Sequence, residues 1–251
     1  MNISSSRSGP SPLLSLPLGT KLLQPPLAVR ASQKKYTTII FDLGNVLVEW
    51  QPLTLIPQLF PARMQEASNL IQTLTTSPIW LDFDRGVAGI TEVGEYGASF
   101  YNFDKAFTIE VISTLPYHLP AIAPMVNLYA YLRAQGYKIY ILSNISSFYL
   151  HALLKHHTFL QFCDGLIASY AIHTNKPDRG IYNYLLQQFN LSPESALFID
   201  DVEANIVGAN NVGIDGIVSK NHEEVIQLLH ALGIASKASI TRFFQPTREA
   251  L

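Results

Sequence analysis

The stretch 36–44 reads Tyr-Thr-Thr-Ile-Ile-Phe-Asp-Leu-Gly, and it decides the fold of this chain of 251 residues. From Tyr36 to Phe41 the residues are β-branched or aromatic, a pattern typical of a strand buried on both faces in a parallel sheet. The run ends abruptly at Gly44. Asp42 is therefore an acidic residue at the end of a buried strand, and it is the first candidate functional residue.

Downstream of this strand, further strand patterns alternate with helical ones. Helical spacing is predicted over 121–135, 146–156, 181–189 and 222–232, and for a helix that ends near Asn211. Strands separated by helices imply right-handed crossovers, so the sequence predicts an α/β fold with a parallel sheet. The further strands are expected at Lys138–Asn144, Gly165–Ser169, Ala196–Asp200 and Ile214–Val218.

Residues 52–120 do not follow this alternation. Apolar residues recur at helical spacing around 55–60 and 67–74, and several aromatic residues follow. We expect a small helical insertion after the first strand. In a parallel sheet, the loops that leave the carboxyl ends of the strands surround the ligand site. The insertion would then cover that site as a lid.

Polar residues collect where the predicted strands end, and a parallel topology brings those ends to one edge of the sheet. Several carboxylates together are the hard oxygen ligands that suit Mg²⁺. A Mg²⁺ ion flanked by an ammonium and a hydroxyl suits a phosphate group. The residues concerned are Asp42, Ser143, Asn144, Lys176, Asp200 and Asp201.

These residues also carry a resemblance to the haloacid dehalogenase-like hydrolase superfamily, over about residues 36–220. Four segments are similar, in order and spacing, to its four motifs: Phe41–Leu47, Leu142–Asn144, Lys176–Asp178 and Phe198–Asp201. The resemblance implies a Rossmann-like parallel-sheet core with an inserted helical cap domain.

The insertion lies where subfamily I members carry a C1 cap. Within it, Asp84-Arg85-Gly86 resembles a cap motif of sugar-phosphate phosphatases of the glucose-1-phosphate type. We expect a core of 36–51 and 121–235, a cap of 52–120 and a C-terminal tail of 236–251.

The resemblance also implies the role of each residue. Asp42 would be the nucleophile of an aspartyl-phosphate mechanism, and Lys176 would offset the charge between this nucleophile and the phosphate. Ser143 and Asn144, with Lys176, would bind the phosphoryl group of a small phosphate ester. The implied ligands of Mg²⁺ are Asp42, the Gly44 carbonyl, Asp200 and Asp201.

One position departs from the family pattern. Phosphatases of this family usually carry a second aspartate, a general acid and base, where this chain has Gly44. Such help is typically worth about 10²–10⁴-fold in rate. We therefore hypothesise a substrate whose leaving group needs little protonation, such as an anomeric sugar phosphate. Three alternatives stay open: a metal-independent 2-haloacid dehalogenase, a non-catalytic protein that binds a phospholigand, and a phosphomutase, which would need the missing acid–base group.

Composition limits the partners and the compartment. The formal net charge is −2 and no basic block occurs, so a nucleic-acid partner is not expected. No apolar run reaches the roughly 18 residues of a membrane span. The single cysteine, Cys163, excludes an intrachain disulfide. The sequence does not decide the oligomeric state.

Residues 1–35 are rich in serine and proline and contain no acidic residue. This composition fits either a disordered leader or a transit peptide. We expect a plastid or another organelle if the source is a photosynthetic eukaryote, with the cytoplasm as the alternative.

Overall fold

The computed structural model describes residues 35–243. Within these residues, five strands form one sheet in which every pairing of neighbours is parallel, and this confirms the predicted α/β fold. The strands are β1 (Thr38–Phe41), β2 (Lys138–Ser143), β3 (Gly165–Ala168), β4 (Ala196–Asp200) and β5 (Asp215–Val218).

The strand order β3-β2-β1-β4-β5 places β1 in the centre of the sheet. Phe41, the last residue of β1, is in register with Ile141 of β2 and Ile199 of β4. Asp42 lies one residue beyond the strand, and its N–H donates to the Ile199 carbonyl at 2.9 Å. The carboxyl ends of the three central strands thus meet at one edge.

The side chains of β1 alternate between two apolar clusters. Ile39 and Phe41 belong to the larger cluster on one face, and Ile40 belongs to the smaller cluster on the other. Successive side chains of a strand point to opposite faces, so a strand covered on both sides is apolar throughout. This explains the unbroken run that identified the strand in the sequence.

Helices fill the chain between β1 and β2. Their buried residues, including Leu70, Leu74 and Val111, belong to the same cluster as Ile39. The division of the chain into a core and a cap stays a prediction. These helices are α1 (Pro52–Leu59), α2 (Met64–Thr75), α3 (Pro78–Asp84), α4 (Ile90–Tyr101) and α5 (Lys105–Thr114).

Of the helices that follow, the first still precedes β2, and the others lie between and after the remaining strands. Each helix that was predicted from the sequence ends within one or two residues of its expected position, whereas α8 and α12 were not predicted. These helices are α6 (Ala123–Ala134), α7 (Ser147–His156), α8 (Ser169–Ile172), α9 (Arg179–Gln188), α10 (Glu203–Asn210), α11 (His222–Ala231) and α12 (Lys237–Phe243).

The segment 236–251, expected to be a tail, begins with helix α12. Ile240 is buried there, and the ring of Phe243 packs edge-on against Tyr131 of α6 with centroids 5.8 Å apart. Two apolar contacts one turn apart explain why this short segment is helical. Residues 244–251 lie outside the described part of the chain.

The predicted leader, 1–35, also lies outside the described residues, except for Lys35. The ammonium of Lys35 pairs with Asp215 at the start of β5, at 2.6 Å. Among the helices of residues 35–243, none has the length and apolarity needed to cross a bilayer.

Candidate active site

Lys176 lies at the centre of the polar residues that the strand ends bring together. It is 4% exposed, and its ammonium is 2.8 Å from Oδ1 of Asp42 and 2.7 Å from Oδ2 of Asp200. The same nitrogen donates to the Leu142 carbonyl at 3.1 Å. All three protons of the ammonium therefore have an acceptor. Burial lowers the pKa of Lys176, but the two carboxylates outweigh it and raise that pKa, so the lysine is a cation.

Asp42 is buried at the end of β1, with an exposed fraction of 7%. Its Oδ1 accepts from the Leu43 N–H at 2.7 Å and pairs with Lys176. Burial raises the pKa of Asp42, and the nearby Asp200 adds to this, while Lys176 acts in the opposite direction. A desolvated carboxylate held by one oxygen leaves its other oxygen for chemistry.

Asp200 is fully buried and its carboxylate has no unused acceptor position. It accepts from the Val202 N–H at 2.8 Å, from Lys176 at 2.7 Å, and from the Asn205 amide at 3.0 Å on each oxygen. A carboxylate has about four lone-pair sites, so these contacts saturate it. Asp200 is thereby fixed as the group that orients Lys176.

Asp201, the next residue, is only partly buried. Its Oδ2 accepts from the Asn45 amide at 3.0 Å, and Asn45 also accepts from the Trp50 N–H at 2.9 Å. Asn45 adopts the left-handed conformation, with φ of 53°, which asparagine tolerates better than most residues. The side chain of Asn45 thus ties the loop after β1 to Asp201.

Asp42, Asp200 and Asp201 form an acidic cluster that fits a divalent cation. One carboxylate oxygen from each lies within 4.8 Å of the others. Asp42 and Asp201 each keep an oxygen without a side-chain partner among the described residues, whereas Asp200 is saturated. An all-oxygen donor set of this kind suits Mg²⁺.

Ser143 is the last residue of β2 and Asn144 follows it, and both line the same cavity as Asp42. The Asn144 amide is engaged on both sides by the main chain of Lys176: Nδ2 donates to its carbonyl at 2.9 Å, and Oδ1 accepts from its N–H at 2.7 Å. The Asn144 side chain thus holds the main chain of Lys176, whereas its own main-chain N–H has no hydrogen-bond partner among the described residues. Binding of a phosphoryl oxygen by Asn144 stays a prediction, and the geometry favours the main-chain N–H as the donor.

Gly44 occupies the position where the family pattern predicts a second aspartate. A Cβ atom at Gly44 would lie 3.7 Å from Cβ of Trp50, an ordinary van der Waals distance, and its φ is not in the left-handed region. Neither space nor backbone strain requires glycine here. The backbone around Gly44 therefore gives no steric explanation for the absence of a side chain at this position.

A cavity of about 330 Å³ opens beside Asp42. Part of its lining is polar and comes from the strand ends. The rest is apolar and is dominated by Trp50, Trp80 and Tyr149, whose rings pack against one another at 5.8–6.1 Å. The Tyr149 hydroxyl donates to the Ile112 carbonyl at 3.0 Å, so this wall offers a bound molecule little hydrogen bonding.

Asp84, the last residue of α3, also lines this cavity, and the sequence did not predict it as a site residue. Burial raises the pKa of Asp84 to about 7, with a further contribution from Asp42 and an opposing one from Lys176. Among the described residues, no side chain or main-chain group forms a hydrogen bond with its carboxyl group. The motif Asp84-Arg85-Gly86 was the available signal.

Three side chains that follow β3 hold the end of α3 in place. Ser169 donates to the Asp84 carbonyl at 2.5 Å, and Asn175 donates to the Leu81 carbonyl at 3.0 Å. Nδ1 of His173 lies 2.8 Å from the Arg85 carbonyl. These contacts fix the position of Asp84 relative to the loop that carries Lys176.

Comparisons with known proteins identify the family to which this chain is similar. A family model described as haloacid dehalogenase-like hydrolase matches residues 36–213. The sesquiterpene phosphatase astK of Aspergillus oryzae is 26% identical over 185 residues, which are 72% of this chain and 89% of that protein. The chloroplastic flavin mononucleotide hydrolase 1 of Arabidopsis thaliana is 21% identical over 207 residues, 80% of each chain.

The fold also matches solved structures. A HAD family enzyme from Bacteroides thetaiotaomicron, solved in complex with magnesium and inorganic phosphate, superimposes with a TM-score of 0.58 at 17% sequence identity. The match covers 76% of this chain and 98% of that enzyme. At this identity the likeness establishes the fold.

Proposed function

This chain belongs to the haloacid dehalogenase-like hydrolases, and from that premise we propose that it is a Mg²⁺-dependent phosphatase. Its substrate is a small phosphate monoester, and the reaction passes through an aspartyl-phosphate on Asp42. The observation that carries the proposal is the buried ammonium of Lys176 between Asp42 and Asp200, beside a cavity. The sesquiterpene phosphatase among its relatives supports this reaction class.

Each residue at the strand ends has a separate role in the proposed reaction. One oxygen of Asp42 attacks phosphorus while the bond from phosphorus to the alcohol oxygen breaks. Lys176 holds the other oxygen of Asp42 and reduces the repulsion between this carboxylate and the phosphate dianion. The Ser143 hydroxyl and the Asn144 main-chain N–H donate to the phosphoryl oxygens. Positioning and electrostatics supply most of the acceleration of such a reaction.

Asp42, Asp201 and the Gly44 carbonyl would hold Mg²⁺ directly. Asp200 would contact the ion only after one of its hydrogen bonds is released, because its four acceptor positions are in use. When bound, the ion neutralises charge on the phosphoryl oxygens. The acidic cluster supports the phosphatase over the metal-independent dehalogenase alternative.

The cavity favours an apolar substrate over the sugar phosphate that the sequence resemblance implied. A sugar has many hydroxyl groups that need partners when they leave water. The wall formed by Trp50, Trp80 and Tyr149 offers few of them, because the Tyr149 hydroxyl is already bonded to Ile112. The Aspergillus relative is a sesquiterpene phosphatase, which agrees with an apolar leaving group.

The experiment that tests both parts is phosphate release from a matched set of esters with Mg²⁺: glucose 1-phosphate, glucose 6-phosphate and 2-phenylethyl phosphate. We expect the highest kcat/KM on the phenylethyl ester. Preference for glucose 1-phosphate over both others would restore the sugar-phosphate interpretation, and turnover of none of them would contradict the phosphatase proposal.

For the compartment, we propose that residues 1–35 direct the chain to a plastid if its source is photosynthetic. The acid-free, serine-rich composition and the chloroplastic Arabidopsis relative support this. A fusion of residues 1–35 to a fluorescent protein is expected to enter plastids, and a diffuse cytoplasmic signal would contradict the proposal.

A further inference from the structure

We propose that Asp84, at the end of α3, is the general acid and base of the reaction and supplies the carboxyl group that is absent at Gly44. This inference rests on the phosphatase function proposed above. It assigns a catalytic role to a residue of the helical segment rather than of the strand ends. Three observations carry it: the position of Asp84, the contacts that fix this position, and the charge around its carboxyl group.

The position brings a further carboxyl group to the cavity, from the helical segment rather than from a strand end. Asp42 enters at the end of β1, and Asp84 enters from α3, so both line one cavity of about 330 Å³. The apolar wall of Trp50 and Trp80 belongs to this cavity as well. A substrate with its phosphorus at Asp42 and its apolar group against these rings therefore has its bridging oxygen within the space that Asp84 lines.

The contacts around Asp84 hold its main chain more firmly than a surface helix end requires. Ser169, His173 and Asn175 form hydrogen bonds with three carbonyls. These belong to Asp84, to Arg85 just after the helix, and to Leu81, respectively. Gly86 continues this close approach: a Cβ atom there would lie 3.0 Å from the Tyr170 carbonyl oxygen. A proton donor needs this fixed position relative to the reacting atoms.

The charge around Asp84 favours its protonated form near neutral pH. Asp42 raises the pKa of Asp84, Lys176 lowers it, and burial is the largest cause of its rise to about 7. Among the described residues, Asp84 also interacts with Tyr149, whose phenol stays neutral because burial raises its pKa. Arg85, its neighbour in the chain, pairs with Asp82 instead. A carboxyl group that titrates near the working pH is suited to acid–base catalysis.

The proton balance closes over both steps. In the first, Asp42 attacks phosphorus, the ester P–O bond breaks, and the proton of Asp84 moves to the leaving oxygen to give the free alcohol. In the second, Asp84 as a carboxylate takes a proton from water while that water attacks the phosphorus of the aspartyl-phosphate. Hydrogen phosphate leaves, Asp42 is regenerated, and Asp84 is protonated again.

The test compares two esters in the Asp84→Asn variant. The phenolate of p-nitrophenyl phosphate leaves without a proton, whereas the alkoxide of 2-phenylethyl phosphate requires one. We expect kcat/KM on the alkyl ester to fall by about 10²–10⁴-fold, and kcat/KM on the aryl ester to fall by less than about tenfold. This parameter reports the steps up to departure of the alcohol or phenolate, and the later base-assisted hydrolysis of the aspartyl-phosphate does not enter it. The ratio of the two kcat/KM values does not depend on the folded fraction of the variant.

Glu95→Gln is the control, because Glu95 belongs to α4 of the same helical segment, pairs with the exposed Lys105 and is not among the cavity-lining residues. Its ratio is expected to equal that of the wild type. For the wild type, kcat/KM on the alkyl ester should decline above about pH 7, and this decline should be absent from Asp84→Asn. The inference is overturned if Asp84→Asn lowers kcat/KM on both esters by the same factor, or on neither. A wild type inactive on both esters would instead overturn the phosphatase function itself.

Discussion

Lys176 and Asp42 form an ion pair at 2.8 Å in which the lysine side chain is 1% exposed and the aspartate side chain 10%. The same ammonium serves Asp200 at 2.7 Å. One cation thus neutralises part of the charge of two buried carboxylates, and the group carries net negative charge. This arrangement ties the stability of the fold to the chemistry at the strand ends, because the residue that balances the charge also holds the nucleophile.

Replacement of this lysine by methionine should be strongly destabilising. Lys176→Met leaves two buried carboxylates without a cation, a loss of about 3–5 kcal/mol in the free energy of unfolding. Lys176 lowers the pKa of Asp42, so its removal raises that pKa further, and the variant loses stability as the pH rises and this carboxyl group ionises. Urea denaturation should therefore show a larger loss at pH 8 than at pH 5. Lys237→Met, which removes an exposed pair with Glu223, should change stability by less than about 0.5 kcal/mol.

Asn144→Ala should affect turnover more than phosphate affinity. The two hydrogen bonds between this amide and the main chain of Lys176 are lost, which costs about 1–3 kcal/mol of stability. Misplacement of Lys176 should lower kcat by about 10²-fold. The inhibition constant of inorganic phosphate should change little. Ser143→Ala should weaken phosphate inhibition instead, and the opposite pattern would show that Asn144 binds the phosphoryl group with its side chain.

Gly86→Ala should be more costly than the same change at another left-handed glycine. Gly86 has a φ of 67°, and its added Cβ would meet Tyr170, whereas Gly136 has a φ of 84° with no heavy atom within 4 Å of such a Cβ. Gly136→Ala should cost about 1–2 kcal/mol from the backbone alone. Gly86→Ala should cost about 1–3 kcal/mol more from the close contact. Equal losses in thermal denaturation would mean that α3 can move away from Tyr170.

The pH dependence of stability should show the titration of Asp84. Its pKa of about 7 in the folded protein lies above the ordinary value of an aspartate, so the folded state binds this proton more tightly than the unfolded state. The stabilisation is complete below the ordinary pKa and is lost as the pH rises through about 7. Asp84→Asn stays neutral at every pH. In EDTA, its Tm should exceed that of the wild type by a few degrees at pH 8, with little difference at pH 5; the same difference at both would contradict the raised pKa.

The strand ends could be predicted from sequence because each short apolar run stops at a polar residue, and parallel topology alone brings these stops together. Asp42, Ser143 and Asp200 needed no knowledge of loop geometry. The use of the Asn144 amide could not be predicted, since its orientation depends on where the loop of Lys176 passes. Asp84 and the wall of Trp50 and Trp80 could not be placed either, because they depend on how the helical segment packs onto the residues after β3.

Hydrolysis of p-nitrophenyl phosphate by the full chain directly tests whether the protein is a Mg²⁺-dependent phosphatase with Asp42 as nucleophile, because this activated ester needs no acid. It is measured with Mg²⁺, with EDTA, and with Asp42→Asn, which keeps the size of the side chain and removes its charge. We predict turnover that requires the metal and falls to background in Asp42→Asn. Turnover that survives in Asp42→Asn, or that EDTA leaves unchanged, would contradict a Mg²⁺-dependent reaction through an aspartyl-phosphate on Asp42.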